Sequence, residues 1–128
     1  MIELELTRFI KEKCNINAYF LTAPKKIKLP YMVFYQLYTD KAAVNNNTMR
    51  LTTTFRVEFY ADKKENLLNL AYNFKNAINR YRGIVGTYQD TYISCSEPVP
   101  LALDDETYKI IIELTIKYYE KQELQYGK

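Results

Sequence analysis

The chain has 128 residues, 48% of them apolar, which suits a single hydrophobic core and is too apolar for a disordered segment. Its net charge of +3, from 18 basic and 15 acidic residues, lacks the dense basic excess of a dedicated nucleic-acid binder. With no His and only three Gly, it excludes Ser–His and Cys–His nucleophilic pairs and a Gly-rich phosphate loop.

The periodicity predicts a first helix over Ile2 to Lys13, with Ile2, Leu6, Phe9 and Ile10 on one face and Leu4 off it. A short extended segment, Ala18 to Leu21, follows. Thr22 to Pro30 is a basic loop bounded by Pro24 and Pro30, since Pro lacks a donor and fixes its own torsion. Tyr31 to Asp40 reads as a strand, with Val33, Tyr35 and Leu37 on one face and Met32, Phe34 and Tyr38 on the other. Apolar residues on both faces predict that both are covered, one by a helix of the same chain and one by a second layer or a second subunit.

Asn45, Asn46 and Asn47 form a turn, because Asn tolerates left-handed torsions and bonds its own backbone. From Arg50 to Ala61, Leu51, Thr53, Phe55, Val57 and Phe59 alternate with polar residues, the period of a half-buried strand. Residues 31–61 are therefore expected to form one long hairpin. Asp62 and Glu65 mark a helix start, and Leu67, Leu70, Ala71, Phe74, Ala77, Ile78 and Tyr81 follow at helical spacing. Gly83 stands where the helix would end, and Leu68 and Tyr72 project away from the apolar stripe.

A second strand pair is expected over residues 84–119. Ile84 to Ser96 is one strand, Glu97 to Glu106 a loop with Pro98, Pro100 and Asp104-Asp105, and Thr107 to Tyr119 the second strand. The fold class is α+β: a mainly antiparallel sheet with an N-terminal helix and one central amphipathic helix packed on it. The domain organisation is a single domain over 1–119 and a polar tail over 120–128.

No catalytic, cofactor-binding or metal-ligating set emerges from these elements. Cys14 and Cys95 are isolated, so there is no zinc-type spacing; each reads as a core thiol, with a disulfide between them left open. Asp104, Asp105 and Glu106 offer too few converging oxygens for a closed cation site. Chemistry-free interface residues remain. Lys25, Lys26 and Lys28 suit phosphates, an acidic neighbour or simply solvent. Asn45, Asn46 and Asn47 are a docking tip or an ordinary hairpin end. Leu68 and Tyr72 are a candidate subunit contact. The thirteen Tyr are read first as cross-strand packing pairs, with stacking platforms for single-stranded nucleic acid as the alternative.

The succession of elements resembles the tail terminator and tail-completion proteins of long-tailed bacteriophages. The resemblance rests on the opening helix, Leu29-Pro-Tyr-Met-Val-Phe-Tyr35, the polar hairpin tip and Phe55-Arg-Val-Glu-Phe-Tyr-Ala61. The helix from Asn66 to Arg82 and the approach Asp104-Asp-Glu-Thr-Tyr108 to a long last strand complete it. It spans about residues 2 to 119 and is one of element order rather than of an invariant motif. It implies a structural protein without catalysis or cofactor, assembling into a ring, commonly a hexamer. That ring caps the tail tube at its head-proximal end and presents a surface to the head–tail connector. The implied partners are copies of itself, the tail-tube protein, the connector and DNA passing through the channel, with no membrane. The implied location is the virion, after assembly in the host cytoplasm. The alternatives are a head-closure or connector neck protein and, in a different class, a small nucleic-acid-binding regulator.

Overall fold

The computed structural model describes residues 1–23, 25, 29–61, 63–102 and 108–121. Its elements are α1 (Ile2–Cys14), β1 (Asn17–Phe20), β2 (Tyr31–Ala43), β3 (Thr48–Tyr60), α2 (Lys64–Ile78), β4 (Arg82–Val85), β5 (Tyr88–Cys95), β6 (Val99–Ala102) and β7 (Tyr108–Lys121). The strands form one seven-stranded curled sheet in the order β1-β2-β3-β7-β5-β4, with β6 also paired to β7. Every pairing is antiparallel except that of β1 with β2.

β7 is the spine. One edge pairs with β3 from Ile110 to Lys121. The other edge is divided between β6, at residues 108–111, and β5, at residues 114–117. Ser96 bridges the division: its backbone N–H donates to the Glu113 carbonyl at 2.9 Å, and its Oγ accepts from the Glu113 N–H at 2.9 Å. The interval expected as loop thus contains a strand, because Pro98 lacks a ladder donor yet the chain rejoins β7 immediately after it.

Both helices lie on the same face of the sheet. Ile2, Leu6, Phe9 and Ile10 of α1 and Leu67, Ala71, Phe74 and Ile78 of α2 are buried in one cluster with Phe55, Val57 and Phe59 of β3 and with Ile110, Ile112, Leu114 and Ile116 of β7. Aromatic rings interlock there, Phe59 edge-on to Phe74 at 5.0 Å and Phe34 edge-on to Phe55 at 5.5 Å. Thr53 belongs to this inward face although it is polar. Its hydroxyl lies 2.9 Å from that of Thr39 and 3.2 Å from that of Tyr118, so burial leaves no orphan.

The helix ends differ from the sequence expectation in instructive ways. α1 stops at Asn15, whose φ of 53° and bond to the Lys11 carbonyl make a left-handed cap. α2 ends at Ile78, short of Gly83. Asn79 is extended and its side-chain oxygen accepts from the Cys95 N–H, while the Arg80 N–H donates to the Ile93 carbonyl. Capture by β5 therefore ends the helix, and the left-handed residue is Arg80 rather than Gly83. Ala77, placed on the apolar stripe by spacing, is consequently exposed at the helix's last turn. The residue before α2 is Lys63, without a side-chain cap; Asp62 lies outside the described residues.

The single strand expected over 84–96 is instead the hairpin β4–β5, turning at Gly86. Gly86 has φ +59°, and a Cβ there would lie 1.5 Å from Glu5 Oε2, so this turn seats α1 as well as reversing the chain. Truncating Phe59 to Ala removes an enclosed ring shared by β3 and α2. Denaturant titration should show a loss of about 3–5 kcal/mol with an unchanged slope.

Candidate interaction surfaces

The residues predicted to carry contacts do not converge. Asn45, Asn46 and Asn47 form the β2–β3 tip, where the Asn47 N–H donates to Asn45 Oδ1 at 2.8 Å and Val44 and Asn45 close the turn on the Thr48 carbonyl. Lys25 is exposed in the connection between β1 and β2; Lys26 and Lys28 lie outside the described residues. The connection feeds β2 at Tyr31 and the Asn tip follows its last residue, Ala43. Thirteen strand residues at about 3.3 Å each separate them by roughly 40 Å. On α2, Tyr72 is 46% exposed, but Leu68 is half-buried against the core, so the expected pair is reduced to Tyr72 with a partly committed neighbour.

Sheet register shows which side chains share the helix-free face, because residues opposed in a ladder point the same way. Near the start of β2 that face bears Tyr31, Val33 and Tyr35, opposed by Tyr60, Glu58 and Arg56 of β3, with Ile111 and Glu113 of β7 beyond. Val99 and Leu101 of β6 flank them and are exposed. The second covering layer expected for this face is not supplied by any described element.

A bulge changes β2 partway along. Register shifts between Gln36 and Tyr38, leaving Leu37 as the extra residue. Tyr38 is thereby turned from the face of Met32 and Phe34 to that of Val33 and Tyr35, opposite Thr54, and is 56% exposed. The expected split of Val33, Tyr35 and Leu37 against Met32, Phe34 and Tyr38 fails here because period-two counting has no place for an extra residue. β1 pairs β2 only as far as Phe34, so the edge from Tyr35 to Ala43 has no strand partner among the described residues.

The polar centre of the open face is Glu58. Its carboxylate accepts from Lys109 Nζ at 3.1 Å, from the Tyr60 hydroxyl at 2.9 Å and from the Tyr35 hydroxyl at 3.2 Å. Burial pushes this carboxyl up, but the bonds and the charge of Lys109 outweigh it and hold the group below the usual carboxylate range. Burial and the Glu58 charge together push the Tyr60 phenol far up, so it stays a donor. Beside them Arg56 Nε is buried and, among the described residues, has no acceptor. Arg56 lines an open groove of about 540 Å³ with Val99, Leu101, Ile111 and Glu113.

Reactive groups are quiet. Both cysteines are free, and burial raises Cys14 to about 11 and Cys95 to about 12, the latter helped by the neighbouring Cys14. Thiols so raised are poor nucleophiles at neutral pH. Among the described residues no three His, Cys, Asp or Glu side chains gather in metal-binding geometry, and no helix is long and apolar enough to cross a membrane. The Asp104–Glu106 run lies outside the described residues. No protein-family model matches this chain, and no curated protein matches it in sequence.

Sequence reasoning missed Leu37, Tyr38, Val99 and Leu101 as surface features. The doubly apolar composition of β2 was a signal that one face lacked cover, but only the register shows which residues are left out. Glu58 gives a pH test. Its lowered pKa stabilises the fold above the unfolded value near 4.5, and that contribution is lost as pH falls through the lower folded value. Thermal unfolding should show wild-type stability declining below pH 4.5, and Glu58→Gln, less stable at pH 7, should show a shallower decline over the same window.

Proposed function

We propose that the chain is a ring-forming structural subunit of virion assembly, of the kind that caps the head-proximal end of a long phage tail and joins it to the head. The observation that carries this reading is a sheet that, among the described residues, leaves unlike strand edges unpaired, two of which lie on opposite sides of the strand order. The first is β2 from Tyr35 to Ala43, marked by exposed Leu37 and Tyr38. The second is β4, at the far end of the strand order, marked by exposed Ile84. Unpaired strand edges are templates for another strand. Joining unlike edges from copy to copy is a heterologous contact, which yields a ring when its rotation closes.

The distribution of loops supports the same reading. A ring between tube and head needs different contacts on its two rims, and the Asn45–Asn47 tip and the loop of Lys25, Lys26 and Lys28 follow and precede opposite ends of β2. The resemblance in element order supplies the identity of the assembly: a ring, commonly of six copies, that stops tube growth and offers the connector a seat while DNA passes through its channel. The bulge at Leu37 has a role in this account, since it limits indiscriminate edge pairing by breaking the ladder and admits only a partner shaped to it. Tyr72 on α2 would meet a neighbouring subunit.

Light scattering during size exclusion, with negative-stain images of the same fractions, tests the proposal. The expected outcome is a concentration-dependent rise from the 15.2 kDa monomer to closed rings with an open centre, abolished by Tyr38→Glu while the fold persists. A monomer at every concentration that also fails to block growth of tail tubes would overturn it. Retention on heads but not on tails made without heads would transfer the protein to the head-closure role.

A further inference from the structure

The helix-free face is electrically uneven along its length. Toward the start of β2 its cations, Arg56 and Lys109, are matched by Glu58 and Glu113, and Lys109 is bonded to Glu58. Toward the hairpin tip the balance is lost. One row of opposed residues crosses five strands as Asp40, Thr52, Lys117, Tyr92 and Arg82. The adjacent row toward the tip is Ala42, Arg50 and Tyr119, and beyond it Thr48 faces Lys121. The row on the other side is Tyr38, Thr54, Thr115 and Ser94. These rows therefore carry Arg50, Arg82, Lys117 and Lys121 against Asp40, with exposed Asp90 beside the β4–β5 register shift, and among the described residues none of those four cations is in an ion pair.

Aromatic rings are interleaved with these charges. Tyr38 and Tyr119 are exposed, and Arg82 sits 5.1 Å from the Tyr92 ring centre, a cation–π contact that holds its guanidinium over the face. Thr54 and Thr115 satisfy each other's hydroxyls at 3.1 Å, which leaves a floor between the rings and the cations with no buried polar orphan. A sheet face with spaced rings and with guanidinium and ammonium groups outside any ion pair of the described residues has the chemistry of a single-strand nucleic-acid platform: phosphates meet the cations, and bases, each with a π-face, stack on the rings.

We propose that this half of the open face binds single-stranded nucleic acid, with Arg50, Arg82 and Lys117 on phosphates and Tyr38, Tyr92 and Tyr119 as stacking surfaces. The inference is independent of ring formation. An acidic protein segment would satisfy the same cations, but it would leave the exposed rings without a stacking partner, so the nucleic acid accounts for more of the surface.

Fluorescence anisotropy of labelled oligo-dT, titrated with the full chain from low to physiological salt, is the test. Binding should weaken with salt, and Arg50→Gln with Lys117→Gln should make the log–log salt slope shallower by about 0.7 for each lost phosphate contact and weaken binding about tenfold. Lys11→Gln with Lys63→Gln removes the same charge from exposed helical and loop positions and should leave affinity unchanged. Tyr119→Leu keeps apolar bulk but loses the ring system, and should weaken binding severalfold without altering the salt slope. Thermal unfolding of each variant establishes that it is folded. Three outcomes would overturn the proposal: no wild-type binding at low salt, equal loss in both lysine/arginine pairs, or equal affinity for poly-glutamate, which would point to an acidic protein instead.

Discussion

Everything in this molecule depends on β7 having strand neighbours along both edges and a single apolar face. Ile110, Ile112, Leu114, Ile116 and Tyr118 are buried on that face, and both helices are drawn to it. An apolar strand flanked on both sides cannot move its side chains to water without breaking two ladders at once. The core is thereby fixed on one side of the sheet, and the other side must find its own solution.

That solution is partial and local. Around Glu58 the open face is made stable by a carboxylate saturated with donors from Lys109, Tyr35 and Tyr60. Removing any donor would leave a nearly buried charge less well matched. Near the hairpin tip the face is left basic and aromatic, and from Tyr35 to Ala43 no described strand pairs the outer edge of β2. The thiols are held protonated by burial, and burial pushes up the phenols of Tyr60, Tyr88 and Tyr118 in the same way. What the fold leaves available is surface, in two forms, one suited to backbone pairing and the other to a polyanion.

Much of this was legible in the amino-acid order. The stripe of Ile2, Leu6, Phe9 and Ile10 and the alternation from Leu51 to Phe59 encode burial directly, and each is buried as read; Ile110, Ile112, Leu114, Ile116 and Tyr118 alternate and are buried in the same way. The mainly antiparallel α+β class follows from those patterns. Three features were not legible, for separate reasons. The end of α2 is set by Asn79 and Arg80 bonding to β5, a contact far along the chain that outweighs the local signal of Gly83. The bulge at Leu37 is a pairing property and has no composition of its own. β6 looked like a loop because its two prolines punctuate it, yet an edge segment can carry Pro where no ladder donor is required. Of the candidate contact residues, the turn at Asn45–Asn47 and the exposure of Tyr72 were readable from turn chemistry and helical spacing. Leu68, expected to project away from the stripe, is instead half-buried against the core.

The central claim is that the β2 edge is reserved for another strand. Hydrogen–deuterium exchange, followed by mass spectrometry on dilute and concentrated protein, reads it directly. The account predicts fast exchange of the outward-pointing N–H groups over Tyr35–Ala43 in dilute solution and marked slowing there, and in β4, on concentration, with β7 slow throughout. Slow exchange of that edge in the dilute monomer, or slowing confined to the helices on concentration, would contradict it.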